Sequence, residues 1–381
     1  ISIKVLNGPT SLTYSQQTAI YGIGVGVTNT PTLTATPPYA PVTYTVDSLP
    51  AGLTINGSTG VISGTPTTAS STRNYVVTAI NLGGNVKDTL HFSVLAAPTG
   101  LNYATTSLLA WKNIAIANDS PTVTGTVQHY SVAPSLPSGL VLDTNTGVIS
   151  GAGTAASAAA NYVVTASNVA GSTTKTLNIR VKAAPSALSY SASPVTYGVG
   201  TAITNNVPTV TDTVTLYSAT LPSGLSINSS TGVISGTPTT ASSAQNYLVT
   251  ASNPAGFTTA NVNIRVLSAP TSLTYSTISA AYLVGHTITP NTPTVTGTEQ
   301  ATHFTISPAL PDSLVLDSVT GIISGKPTVG QSATNYTVTA SNVAAGSASV
   351  VLTISSLAPP SALSYPSLAS DRKSTRLNSS H

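Results

Sequence analysis

One stretch constrains the fold more than any other feature of the chain. LPSGLSINSSTGVISGTPTTASSAQNYLVTASNPAG, from Leu221 to Gly256, occurs four times with light edits. The copies open LPAGL at Leu49, LPSGL at Leu136 and Leu221, and LPDSL at Leu310. A second marker, L-x-Y, ends at Tyr14, Tyr103, Tyr190, Tyr275 and Tyr365, and both markers recur every 85 to 90 residues. Solenoid repeats are much shorter, roughly 20–50 residues. A unit of this length can bury a core of its own without metal or disulfide staples. The chain therefore reads as beads on a string. Residues 1–8 read as the last strand of a preceding unit, with Ile1, Ile3 and Val5 alternating. Repeats 1 to 4 follow at 9–97, 98–184, 185–269 and 270–358, and 359–369 open a truncated fifth.

Each unit reads as strands alone. NYVVTAIN at Asn74, with its sisters NYVVTASN, NYLVTASN and NYTVTASN, alternates with a period of two, and all copies keep Tyr, Val and Ala on one face. That face belongs to a core. The closing strands alternate likewise, as in Leu90, Phe92, Val94 and Val262, Ile264, Val266. GLSINSSTGVISG carries turn residues between two short apolar pieces, which predicts a hairpin. The nearest approach to a helical window, Ala155–Ala160, is too short. About seven short strands per unit predict an all-β chain, a tandem array of immunoglobulin-like β-sandwich domains without significant helix. Regularly placed aromatics read as packing: Trp111 shares a slot with Tyr21, Tyr197 and Tyr282, and only Tyr39 lies outside the pattern. Junctions such as LAAPTGLNY hold a Pro and no Gly/Ser linker, so adjacent units are expected to be closely coupled into a semi-rigid rod.

Composition narrows the function classes. Charged residues are only 6% of the chain, and the net charge of +3 is concentrated in a short tail bearing Arg372, Lys373 and Arg376. That is no footprint for nucleic acid or for an acidic membrane. No apolar run is long enough for a membrane-spanning helix. The absence of Cys excludes disulfides and thiolate metal sites. A chain without Met or signal peptide reads as an internal fragment of a longer protein, and the abrupt change at SDRKSTRLNSSH marks 370–381 as a foreign or artefactual tail.

Catalytic and metal chemistry find little support. The eight Asp and single Glu, Glu299, avoid the AP junctions, and calcium needs six to eight oxygens with several carboxylates. The best local set is Asp143 and Asn145 in Asp143-Thr144-Asn145-Thr146-Gly147, but no later Glu completes it, and Asn56 and Asn228 stand in the sister copies. An Asx turn explains these residues, and Asp317, more simply. No cofactor is expected. His129 and His303 precede the aromatic of the same strand slot and read as outward residues. Trp111, the single Trp, is the candidate for stacking on a sugar, weighed against its place in a packing slot.

The combination of LPSGL, TGVISGTPT and NY-x-VTASN resembles the He_PIG immunoglobulin-like repeat family of bacterial and archaeal surface proteins. It is also similar to dystroglycan-type cadherin-like domains. The second copy departs with GAG at Gly151–Gly153, and the fourth has Ser313 where the bending Gly belongs, which puts those loops in question. The resemblance implies no catalysis, an extracellular or surface location in a prokaryote, and domains that act as stalks, spacers or adhesive modules. The expected function is a non-catalytic stalk whose partners are the neighbouring repeats of the same chain. The alternative is adhesion to a glycan or a host or matrix protein, through repeat 2, the most divergent copy, or through an exposed sheet edge.

Overall fold

The computed structural model describes residue 1 and residues 3–37, 40–297 and 301–360. Tyr39, Glu299, the tail at 370–381 and all but the first two residues of the fifth repeat lie outside them. Contacts gather the chain into two compact units. The first is Ile1–Ser186 with Thr211–Thr215 and Ser252–Phe257; the second is Ala187–Val210, Leu216–Ala251 and Thr258–His381.

In the first unit, repeat 1 contains β1 (Pro9–Tyr14), β2 (Thr18–Gly22), β3 (Val27–Asn29), β4 (Pro31–Ala35), β5 (Thr43–Val46), β6 (Leu53–Ile55), β7 (Ile62–Gly64), β8 (Ser70–Asn81) and β9 (Gly84–Leu95). Its spine is the β8–β9 hairpin, two 12-residue strands in which Tyr75 faces Leu90 and Val77 faces Asp88 across the ladder. Alternation puts Tyr75, Val77, Ala79, Leu90, Phe92 and Val94 on one buried face. The hairpin grows into a four-stranded sheet, β2-β9-β8-β5, with β2 parallel to β9 and β5 antiparallel to β8. Opposite it lie the β1–β4 pair and the three-stranded β3-β7-β6 sheet, and β1 packs over β8 and β9. The core fills the space between the layers, where Phe92 stacks on Tyr75 with ring centroids 4.2 Å apart. Burying each such side chain contributes on the order of 1.5–3 kcal/mol.

Repeat 2 follows the same order. Ser107–Trp111, Gly171–Lys182, Ser157–Asn168 and His129–Ala133 form its four-stranded sheet, and Thr99–Tyr103 pairs with Pro121–Thr124. In repeats 3 and 4 the corresponding sheets are Val195–Gly198, Gly256–Leu267, Ser242–Asn253, Leu216–Ala219, and Ser279–Leu283, Ser347–Leu357, Gln331–Ser341, His303–Ser307. The described residues contain strands and no helix, as the periodicity predicts.

Two expectations change. The strands per repeat exceed seven because the leading segment changes layers: it pairs with β4 as far as Tyr14 and joins β9 from Thr18. A count based on alternation treats such a segment as one strand. Residues 3–8 form no strand, and Ile1, Ile3 and Val5 are exposed. Alternation alone does not make a strand without a neighbour to bond to.

Candidate functional site

The polar markers of the repeat build three recurrent devices. The first joins the two sequence markers. The Tyr14 hydroxyl donates to the Gly60 carbonyl oxygen at 2.6 Å, and Tyr103, Tyr190 and Tyr275 do the same to Gly147, Gly232 and Gly321 at 2.5, 2.6 and 2.6 Å. Burial pushes these phenols well above the ordinary tyrosine range, Tyr275 to about 12. Each of the four glycines has a positive φ between 70° and 75°. A Cβ on Gly60, Gly147 or Gly232 would lie 2.5–2.6 Å from the ring of Tyr44, Tyr130 or Tyr217. The glycine is therefore required twice, by its backbone and by the ring beneath it.

The second device is the turn that precedes this glycine. Asp143 Oδ1 accepts the N–H groups of Asn145 and Thr146, each at 2.8 Å. Asn56 and Asn228 make the same pair of bonds, as does Asp317 to Val319 and Thr320. The backbone N–H groups of Thr146 and Asn145 hold the Asp143 carboxyl below its ordinary value. Asn145 contributes its main chain to this turn. Asp and Asn are interchangeable here because only an acceptor oxygen is needed. Among the described residues no group of three or more His, Cys, Asp or Glu is placed to hold a metal. The hairpins close in every copy, including the two departures. Ile149–Gly151 pairs with Leu140–Leu142, and Ser313 takes the left-handed conformation (φ 67°) of Gly52, Gly139 and Gly224.

The third device sits at the repeat ends. Asn168 closes the VTASN strand, and its Nδ2 donates to Ala96 O in the junction from repeat 1, at 2.7 Å, and to Thr126 O at 2.8 Å. Its Oδ1 accepts the N–H of Ala170. Asn253 bonds Ala183 O and Thr213 O in the same way, Asn342 bonds Ser268 O, and Asn81 bonds Asn7 O. Nothing in its sequence period distinguishes this Asn from a turn residue. Its recurrence in all four copies, immediately before a hairpin, was the signal available.

The four-fold pattern is matched by a single family model. He_PIG, the putative Ig domain, fits residues 9–97, 97–182, 178–267 and 265–356. The chain belongs to this family. Among curated proteins none matches it in sequence. Solved structures that align with the chain include an I-band fragment of titin, at 15% identity and a TM-score of 0.39, covering 68% of this chain and 98% of that one. Sidekick-1 immunoglobulin domains 1–5 align at 16% identity and 0.38, covering 91% of this chain and 80% of that one. Drosophila OTK extracellular domains 3–5 align at 15% and 0.28, covering 69% and 99%.

Within this He_PIG chain, Trp111 is half-buried at the end of its edge strand, beside Lys182 in the ladder. Its sister Tyr21 is buried with its ring centroid 5.2 Å from that of Phe92, so the slot is one of aromatic packing in repeat 1. His91, His129, His286 and His303 are exposed, and His91 Nδ1 lies 2.6 Å from Asn74 Oδ1.

A buried polar slot in the N-x-P-T segment escapes the pattern reading. Asn29, Asn206 and Asn291 are at most 2% exposed, and each side chain bridges the turn after the L-x-Y tyrosine. Asn29 Nδ2 donates to Gln16 O, Asn206 to Ala192 O, and Asn291 to Thr277 O. Repeat 2 carries Asp119 in this slot, where burial pushes the carboxyl up against the lowering effect of the Thr105 and Ala104 N–H groups. An ionised Asp has no donor for a carbonyl of the kind that its sister amides bond. Asp119→Asn should therefore stabilise repeat 2 by about 1–2 kcal/mol at neutral pH. The sign follows from linkage. The folded-state pKa is raised, so the protonated form's contribution is present at low pH and is lost as the pH rises through the folded value. Unfolding followed at pH 4 and pH 8 should show that loss in the wild type and a flatter profile in the variant. An unchanged profile would remove Asp119 as its source.

Proposed function

We propose that the chain is a non-catalytic stalk or spacer segment of a large secreted or cell-surface multidomain protein. The observation that carries this is the Asn clamp, which each described repeat uses to hold the end of the segment before it. At all four positions Nδ2 reaches a carbonyl of that segment while Oδ1 fixes the hairpin. An amide engaged at both ends in a partly buried place contributes on the order of 1 kcal/mol per bond and restrains the direction of the chain. Short junctions carrying a Pro add to that restraint. The polar side chains that the repeat keeps in every copy are engaged with backbone groups, which supports a structural role over a chemical one. Family membership supports placement outside the cell.

A spacer must lengthen with each repeat. Small-angle scattering should show the maximum dimension of residues 1–358 growing in proportion to repeat number when compared with residues 1–184. Asn168→Ala should broaden the distance distribution and cost about 1–2 kcal/mol. A dimension independent of repeat number would sink the proposal.

A further inference from the structure

The third repeat departs from its sisters at one place. Between the strand aromatic and the next LP pair, repeat 3 has the shortest connection, Tyr217 to Leu221, against Tyr44 to Leu49, Tyr130 to Leu136 and Phe304 to Leu310. Within it, Ala219 stands where Val46, Val132 and Ile306 pack against their cores. A shorter loop and a smaller side chain leave space above the hairpin strand. Tyr247 is half-buried, whereas its sisters Tyr75, Tyr162 and Tyr336 are 3%, 7% and 0% exposed. Leu225 is likewise only partly buried, while Leu53, Leu140 and Leu314 are buried.

The space is an open, solvent-facing cavity of about 570 Å³, lined among others by Ser218, Thr220, Gln245, Asn246 and Tyr247. In repeat 1 the position of Gln245 is held by Arg73. The lining of the repeat 3 cavity contains no charged residue. Gln245 Nε2 donates to the Tyr247 hydroxyl, and Asn263 Nδ2 donates to Asn246 Oδ1 at 2.8 Å, so both amides are oriented before any ligand arrives. The volume suits a small molecule. The neutral lining offers nothing to balance an anion or a cation. What it presents is one aromatic ring beside amides and hydroxyls that both donate and accept. That combination fits a sugar ring, which has apolar C–H faces and a rim of hydroxyls.

We propose that this cavity of the third repeat is a carbohydrate-binding site for a neutral sugar unit, with Tyr247 as the stacking surface and Gln245 and Asn246 as the amides that read the hydroxyls. It goes beyond the spacer role and is decided separately from it, since scattering by the chain does not depend on sugar binding. The test is saturation-transfer NMR on the full chain with methyl glycosides of glucose, galactose, mannose and N-acetylglucosamine and their β-1,4-linked dimers. At least one should show saturable transfer to the wild type. Ala219→Val, which restores the side chain of a sister repeat, should weaken that binding about tenfold or more while the melting temperature holds or rises. Asn246→Ala should weaken it similarly from an exposed position. Tenfold corresponds to about 1.4 kcal/mol, within the range of one aromatic contact with its hydrogen bonds. Absence of saturable transfer from every glycoside overturns the proposal. So does a glycoside bound equally by the wild type and both variants, because it then sits elsewhere.

Discussion

Gly232→Ala should unfold repeat 3 locally, with a loss of about 2–5 kcal/mol. Two terms add. The alanine would have to hold a φ of 72°, which costs on the order of 1–2 kcal/mol for a residue with a Cβ. The new methyl would lie 2.6 Å from the Tyr217 ring and 2.8 Å from Pro208 Cγ, and such overpacking costs about 1–3 kcal/mol more. Neither neighbour can yield freely, because Tyr217 is buried and Pro208 begins a strand. Displacing the turn also pulls the Gly232 carbonyl from the Tyr190 hydroxyl and leaves a buried donor unpaired. The control is Gly24→Ala, with a φ of 78° and no atom within 4 Å of the added Cβ, which should show the backbone cost alone. Native-state hydrogen exchange provides the measure. Amides of Ser242–Asn253 should lose about two orders of magnitude of protection in Gly232→Ala, and those of Ser70–Asn81 about one order or less in Gly24→Ala. Equal effects would mean that the ring beneath the glycine does not matter.

The second large effect is expected at Gly198, within the second unit. A Cβ there would lie 2.0 Å from Val343 O and 2.3 Å from Ala344 Cα, both main-chain atoms of the repeat 4 hairpin tip. Gly198 ends a strand, where alanine is otherwise the better residue by about 0.5–1 kcal/mol, so only the contact can make the substitution harmful. Around it the Thr201 hydroxyl donates to Val343 O at 3.1 Å and the Ala345 N–H to Val199 O at 2.8 Å. A methyl group would force the hairpin away and break both bonds. Gly198→Ala should therefore cost about 2–3 kcal/mol of coupling between repeats 3 and 4, visible in calorimetry as their melting separately. Gly22→Ala should act alike in the first unit, where its Cβ would meet Val169 O and Ala170 Cα at 2.7 Å. Calorimetric traces unchanged by both substitutions would show that the repeats do not dock in solution as they do here.

How far these devices can be read from residues alone depends on the range of the interaction. The faces of the NY-x-VTASN strands were legible because alternation is a local property, and Val77, Val164, Val249 and Val338 are all fully buried. The turn role of Asp143 was legible too, since its bonds reach only two and three residues along the chain. The strand switch between Tyr14 and Thr18 was not. Alternation says which face is buried but not which neighbour supplies the hydrogen bonds. Trp111 was legible as a member of an aromatic slot, and the sequence also made it the candidate sugar platform. The space beside Tyr247 lies in the third repeat, where Ala219 stands in place of a branched side chain beside a shortened loop. Each change is unremarkable in the string of letters, and Ala219 and Thr220 of the shortened loop both line the cavity.

The four copies of the repeated stretch by themselves determined the all-β class, the family and the positions of the turns, because a repeated pattern of alternation and turn residues specifies a backbone locally. Only the tertiary structure decided what the recurring polar residues hold. Tyr190 and Gly232 are 42 residues apart yet joined by one hydrogen bond, and Asn342 reaches 74 residues back to Ser268. Contacts over such separations depend on how strands from different parts of the chain come to lie side by side, and no local periodicity encodes that.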